Sequence, residues 1–317
     1  MSLSDQTDWG KLQSLQKVCR PGLEIIIQGE YPKSLFILLS GRLSVYRHGI
    51  KISEIRKRGD YIGDIAMLLK SPASATAKTE TDIVVIEIDS SNVQKLLQHS
   101  PGVIIAMARK MAERLADLNN NFSQLVDKSF RPDLVKRLQE HQKSITAQTS
   151  VVLNLDDLKS YAKDVKDGTK ILTQGQDPSA LYILVKGTVE IYKNSKMIAV
   201  EDEPGYYLGD VAILRGKPSN ASVVSRGNVT LIEIPLEKIE SFLNHSPQIA
   251  LSIAEKLALR TLAINELFLD LKAEFIKETQ HTSKTSAKNP EDVASERMKH
   301  FDQVGKDIME LLNIDLH

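Results

Sequence analysis

The 317-residue chain has one cysteine, one tryptophan and only 5% aromatic residues, and its 41 Lys plus Arg are balanced by 41 Asp plus Glu. Each shortage excludes something. A lone Cys19 closes no internal disulfide and has no CxxC neighbour for redox or metal chemistry, so it reads as an ordinary residue of a reducing compartment. Balanced charge leaves no global field to hold a polyanion or an anionic membrane against salt, which disfavours nucleic acid as a partner. No run of about 18 apolar residues occurs, so no membrane span is expected, and the opening MSLSDQTDWGKLQ lacks the basic and apolar regions of a secretory leader. These absences predict a cytoplasmic protein. Catalytic signatures are missing as well: there is no HExxH, GxSxG or Walker loop. Glu87 and Glu233 sit in apolar runs with no second group for acid–base work, so they read as solvent-facing strand residues and no enzyme is expected.

What is present is an internal repeat. Residues 22–101 match residues 168–247 at a constant offset of 146 without a gap, with 26 of 80 positions identical. Gly22, Gly29, Gly41, Gly59 and Gly63 fall on Gly168, Gly175, Gly187, Gly205 and Gly209. Glycines regularly spaced between short apolar runs punctuate a β unit, since each permits a tight turn or a close backbone approach. SLFILLSGRLSVY and ALYILVKGTVEIY predict strand pairs, DIVVIEI and NVTLIEI later strands, and about eight antiparallel strands per repeat predict a jelly-roll type β-roll.

After each roll the period changes to about 3.6 residues. HSPGVIIAMARKMAERLADLNNNF and HSPQIALSIAEKLALRTLAINELF place a serine at the N-cap and a proline at the first helical position, predicting long helices. Ile249, Ile253, Leu257, Ile264 and Leu267 form an apolar stripe, with Glu255, Lys256 and Arg260 off it. His99 and His245 match in register but lack neighbours at ligand spacing, which favours a structural role at the helix starts over metal. Residues 119–150 are polar and helix-prone, with Pro132 breaking any continuous helix. The stretch from about Lys277 to Asn289 reads as a flexible linker, followed by a C-terminal amphipathic helix capped by Asn289 and Pro290. That helix docks either on its own roll or on a partner.

The loop GDIAMLLKSPASATA (63–77) recurs as GDVAILRGKPSNASV (209–223). A Gly-Asp opening a short helical turn, then proline and small residues, makes a cradle in which backbone N–H groups converge and small side chains keep the space open. Asp64 or Asp210 can accept a hydrogen bond from a ribose hydroxyl, and Thr76 or Ser222 can reach a phosphate or base edge.

At these residues the chain resembles the cyclic-nucleotide-binding domains of the catabolite activator protein, cyclic-nucleotide-gated channels and the regulatory subunits of cyclic-AMP-dependent protein kinase. The resemblance covers roughly residues 20–118 and 154–270. It implies an α+β architecture of two tandem cyclic-nucleotide-binding-like β-rolls with flanking helices, plus a C-terminal helix. It also implies ligand positions at Gly63, Asp64, Ile65, Ala66, Ala73, Ser74, Thr76, Gly209, Asp210, Val211, Ala212, Ser219, Asn220 and Ser222. Where the family carries the phosphate-holding arginine of its cassette, this chain has Ala73 and Ser219, and the family's glutamate is aspartate in both loops. Losing an arginine fork removes charge-assisted bonds of about 3 to 5 kcal/mol in total, a hundredfold or more in affinity. Lys70 and Lys217 stand near enough in sequence to swing a substitute charge toward the cradle, although lysines on an exposed loop are more often solvated.

The expected domains are 1–128 and 154–276, joined by a helical connector at 129–153 and followed by 277–317. No cofactor is expected, and a cyclic nucleotide is the candidate ligand. The expected function is a non-catalytic regulator that senses a cyclic nucleotide or related anion through atypical pockets and signals to a protein partner by helix movement. The alternative is a ligand-free scaffold. Too little chain follows the second long helix for a helix-turn-helix reader of DNA. The second long helix resembles the pairing helix of the catabolite activator protein; it either makes a homodimer or packs within the chain.

Overall fold

The computed structural model describes residues 16–93, 101–129, 133–146, 158 and 160–285. Between the turn glycines of the first repeat lie β1 (Gln16–Cys19), β2 (Glu24–Ile26), β3 (Ser34–Ser40), β4 (Leu43–Arg47), β5 (Ile50–Ile55), β6 (Tyr61–Ile62), α1 (Asp64–Leu69), β7 (Thr76–Thr79) and β8 (Ile83–Asp89). They form two antiparallel sheets, ordered β1-β8-β3-β6 and β2-β7-β4-β5. Helices α2 (Pro101–Ser129) and α3 (Asp133–Thr146) lead to β9 (Ala162–Val165), β10 (Lys170–Leu172), β11 (Ala180–Lys193), β12 (Lys196–Glu201), β13 (Tyr207–Leu208), α4 (Asp210–Arg215) and β14 (Ser222–Pro235). The chain then continues through α5 (Leu236–His245) and α6 (Pro247–Thr285).

The eight strands of the first roll meet the expectation, and the second roll covers the same path with six. There β11 and β14 each run unbroken through two strands' worth of chain. Gly41, between β3 and β4, has φ 92°, and its counterpart Gly187 within β11 has φ 100°. A Cβ at Gly41 would lie 2.4 Å from the Asp82 carbonyl oxygen, and one at Gly187 2.6 Å from that of Asn228. Only glycine fits either place.

The inner strands are apolar on both faces, which explains their unalternating sequence. Phe36, Leu38, Ile83 and Val85 point into the first roll, while Leu35, Ile37, Ile86 and Ile88 face a helical core. In the second roll Tyr182, Leu184, Val229 and Leu231 point inward, and Leu181, Ile183, Ile232 and Ile234 face that same helical core. One shared core of α2 and α6 therefore joins the two rolls. Ala108 and Ala112 of α2 and their offset counterparts Ala254 and Ala258 of α6 are all buried, and such small side chains let two helices approach closely. The stripe of Ile249, Ile253, Leu257, Ile264 and Leu267 is buried as expected. The face of α6 resembling a dimer helix is thus covered by α2 within the chain, and a homodimer through it would have to displace α2.

Two readings need correction. Helix α6 continues to Thr285, through most of the stretch expected as a flexible linker, whereas the expected C-terminal helix lies outside the described residues. The polar stretch from residue 119 is helical as expected, in α2 up to Ser129 and in α3 from Asp133, on either side of Pro132. Glu87 and Glu233 are not simply solvated, because Lys17 of β1 and Lys163 of β9 donate to them at 2.7 and 2.8 Å. His99 lies outside the described residues; His245 is exposed at the end of α5, its Nδ1–H donating to the Ser241 carbonyl at 2.6 Å. Among the described residues no group of three His, Cys, Asp or Glu is placed to hold a metal, and no helix is long and apolar enough to cross a membrane.

Candidate ligand cradles

Each cradle begins at a glycine in the left-handed region, Gly63 and Gly209 both at φ 86°, which turns the chain from a short strand into α1 or α4. The loop after the helix is then pinned to the turn after β2 or β10. Ala73 accepts from Gly29 N–H and donates to the Glu30 carbonyl, each at 2.8 Å; Ser219 does the same with Gly175 and Gln176, again at 2.8 Å. Both backbone groups being spent, the side chain at this position is fixed in direction. Ala73 is 5% exposed and belongs to the first roll's core. Ser219 is also 5% exposed, and its Oγ has no hydrogen-bond partner while bordering the second cavity.

A cavity of about 520 Å³ opens over the first cradle and one of about 810 Å³ over the second, both within the usual range for small-molecule sites. Gly63, Asp64, Ile65, Ala66, Ala73 and Ser74 border the first, and Gly209, Asp210, Val211, Ala212, Ser219 and Asn220 border the second. Thr76 and Ser222 border neither. Their hydroxyl oxygens accept from the backbone N–H of Gln28 and Gln174, each at 2.9 Å, and tie the cradle's exit strand to the preceding loop.

The acids are buried and already paired. Asp64 is 4% exposed and Asp210 3%. An arginine from the long helix after each roll reaches in: Arg114 of α2 lies 3.3 Å from the Asp64 carboxylate, and Arg260 of α6 binds the Asp210 carboxylate. Burial works against the Arg260 charge, but Asp210 and Tyr206 outweigh it and hold the guanidinium above its ordinary pKa. The guanidinium also lies 5.6 Å from the centre of the Tyr206 ring. Lys70 and Lys217 border neither cavity. Arg114 and Arg260 do not stand out locally, and Arg260 was expected off the apolar stripe. The signal that links them is the offset itself, continued past residue 101: 114 and 260 differ by 146.

The second cavity carries a further acid. Burial, with Glu203 and Asp202 adding to it against Arg260, pushes the Glu201 carboxyl up to about 7. Its counterpart in the first repeat is Ile55.

The cyclic nucleotide-binding domain family model matches residues 16–100 and 162–246, together more than half of the chain. The chain belongs to that family, as a tandem cyclic-nucleotide-binding protein. It is 26% identical over 71% of its length to a cAMP-dependent protein kinase regulatory subunit of Yarrowia lipolytica, covering 53% of that protein. It is also 26% identical over 68% of its length to the type II regulatory subunit of Drosophila melanogaster, covering 50%. The chain thus spans about half the length of these curated relatives. Among solved structures it is similar to the regulatory subunit of a cAMP-independent protein kinase A from Trypanosoma brucei, at 16% identity, 74% of this chain, 75% of that chain and a TM-score of 0.31.

Proposed function

We propose that the chain is a non-catalytic cytoplasmic regulator that senses a cyclic nucleotide or related anion through atypical pockets and signals to a partner protein by helix movement. One observation carries this reading: in both repeats the cradle acid is bonded to an arginine of the long helix that leaves the roll. A ligand whose ribose hydroxyls compete for the acid, or whose anion draws the arginine, disturbs the joint between cradle and helix. The loop's missing cation is thus replaced by one that must leave its aspartate to serve, which lowers affinity and couples binding to motion. Because relatives are named as kinase regulatory subunits, a kinase catalytic subunit is the first partner to try.

The scaffold reading has its best support in the first cradle, where Ala73 is buried in the roll's core and offers no polar group. Calorimetric titration with cyclic AMP and cyclic GMP, with hydrogen exchange followed along α2 and α6, tests both readings. Saturable binding with changed exchange in the helices supports sensing; no binding of either nucleotide, with recovery of a stable partner complex, supports the scaffold.

A further inference from the structure

The two repeats hold each other at matching positions. Arg47, at the end of β4, donates to Glu266 of α6 at 2.5 Å; Lys193, at the end of β11, donates to Asn120 of α2 at 2.9 Å. Positions 47 and 193, and positions 120 and 266, differ by the repeat offset. The cradle helices follow the same crossed pattern, α1 packing against α6 and α4 against α2. Asn265 and Phe268 of α6 therefore border the first cavity, and their counterparts Asn119 and Phe122 of α2 border the second. Each cradle is roofed by the other repeat.

Among the described residues, α3 borders the second cavity and not the first, bringing Gln139 and Gln142 to its wall. Asn119, Gln139 and Gln142 are each half-buried, and none makes a side-chain hydrogen bond among the described residues. A wall that served only to close the cavity would be cheaper if apolar, because half-buried carboxamides forfeit water contacts without replacement. A primary carboxamide presents a donor and an acceptor side by side, the pattern that matches the edge of a nucleobase. The same cavity is bordered by Ser219, whose buried Oγ is an unspent hydroxyl, and by Arg260.

We infer that the second cradle is a composite site for a nucleoside unit, free or as its cyclic phosphate, in which Asn119 of α2 and Gln139 and Gln142 of the connecting helix α3 read the base. This rests on the sensing reading above and adds to it where specificity resides. A ligand so held ties α2 and α3 to the second roll. Since α2 also packs on α6, which roofs the first cradle, occupancy of either site alters the affinity of the other by the same factor.

The full chain would be titrated calorimetrically with adenosine, guanosine, cyclic AMP and cyclic GMP. Ser219→Leu, which fills the cradle floor, marks the second-site component by abolishing it. Asn119→Ala, Gln139→Ala and Gln142→Ala, all outside the second roll, are each expected to weaken that component about fivefold, the effect of one neutral hydrogen bond, with unchanged thermal stability. Binding by the cyclic forms alone, or by the nucleosides as well, distinguishes the two sources and supports the site either way. Binding that Ser219→Leu abolishes but the three carboxamide variants leave unchanged overturns the composite site while sensing stands. Binding that survives Ser219→Leu also overturns it, by placing the ligand elsewhere. No binding of any of the four overturns the sensing reading and the composite site together.

Discussion

The two cradles share a backbone and differ in what is placed around it. In the first, Arg114 is 34% exposed at its side chain, meets Asp64 at 3.3 Å, and leaves one Asp64 oxygen without a well-formed hydrogen bond. In the second, Arg260 is 17% exposed, binds Asp210 directly and lies by the Tyr206 ring. The counterpart of Tyr206 is Asp60, which is 3.9 Å from Lys110 and offers no ring. The same acid–base pair is therefore a partly solvated contact in one repeat and a desolvated one in the other. Equal sequence positions need not carry equal energies, because the dielectric surroundings set the strength of a charge pair.

Removing the arginines should separate the two repeats most. Both variants strand a buried carboxylate, but Arg260→Ala breaks the more desolvated pair and should cost about 3 to 5 kcal/mol, whereas Arg114→Ala should cost about 1 to 2 kcal/mol because the Arg114 side chain is 34% exposed and water can follow its path to Asp64. Urea unfolding of the two variants checks this, and an equal or reversed order would break the comparison.

A smaller difference is expected in pH dependence. Glu201 has its folded carboxyl pushed up to about 7 from an ordinary 4.5, so its folded form holds a proton that the unfolded chain releases earlier. Its contribution to stability is complete below about pH 4.5 and is lost as pH rises through about 7. Glu201→Gln should therefore stabilise by about 1 to 2 kcal/mol at pH 8 and have little effect at pH 4. Glu255, likewise pushed up to about 7 by burial, should behave the same way; its counterpart in the first repeat is Arg109. Thermal melts of the Gln variants at both pH values read this, and a gain at the acidic end instead would refute the assignment.

The least effect belongs to the crossed contacts. The Arg47–Glu266 ion pair has side chains 14% and 26% exposed, so Arg47→Ala should cost about 1 kcal/mol. Lys193→Ala, which removes an exposed bond to a neutral amide, should cost less. Finding Lys193→Ala the more damaging would show that the two halves of the crossed arrangement are not comparable as read here.

Much of the fold was legible before any coordinates. The strands and the position of α1 and α4 follow from glycine spacing and apolar runs, which act over a few neighbours, whereas the ligand positions came from the family resemblance, and twelve of them border the two cavities. Thr76 and Ser222 border neither cavity, and their hydroxyl oxygens accept from the backbone N–H of Gln28 and Gln174, partners 48 residues away that leave no local mark in the sequence. That the second roll's strands run on as β11 and β14 was not legible, because a left-handed glycine inside a continuous ladder, such as Gly187 or Gly227, looks the same in sequence as one in a turn.

By itself, the sequence determined two rolls of the same kind, each with a small-residue cradle, because positive φ at glycine and side-chain periodicity are local constraints that each repeat carries twice. Only the tertiary structure decided that Arg114 and Arg260 serve the cradle acids, that α2 and α6 cover each other, and that each roofs the opposite cradle. Those outcomes depend on which surfaces meet, at separations of 50 residues for the ion pairs and up to 219 for Arg47 with Glu266. Long-range contacts of that kind are chosen by burial and charge pairing in the assembled core, where no neighbouring residue records them.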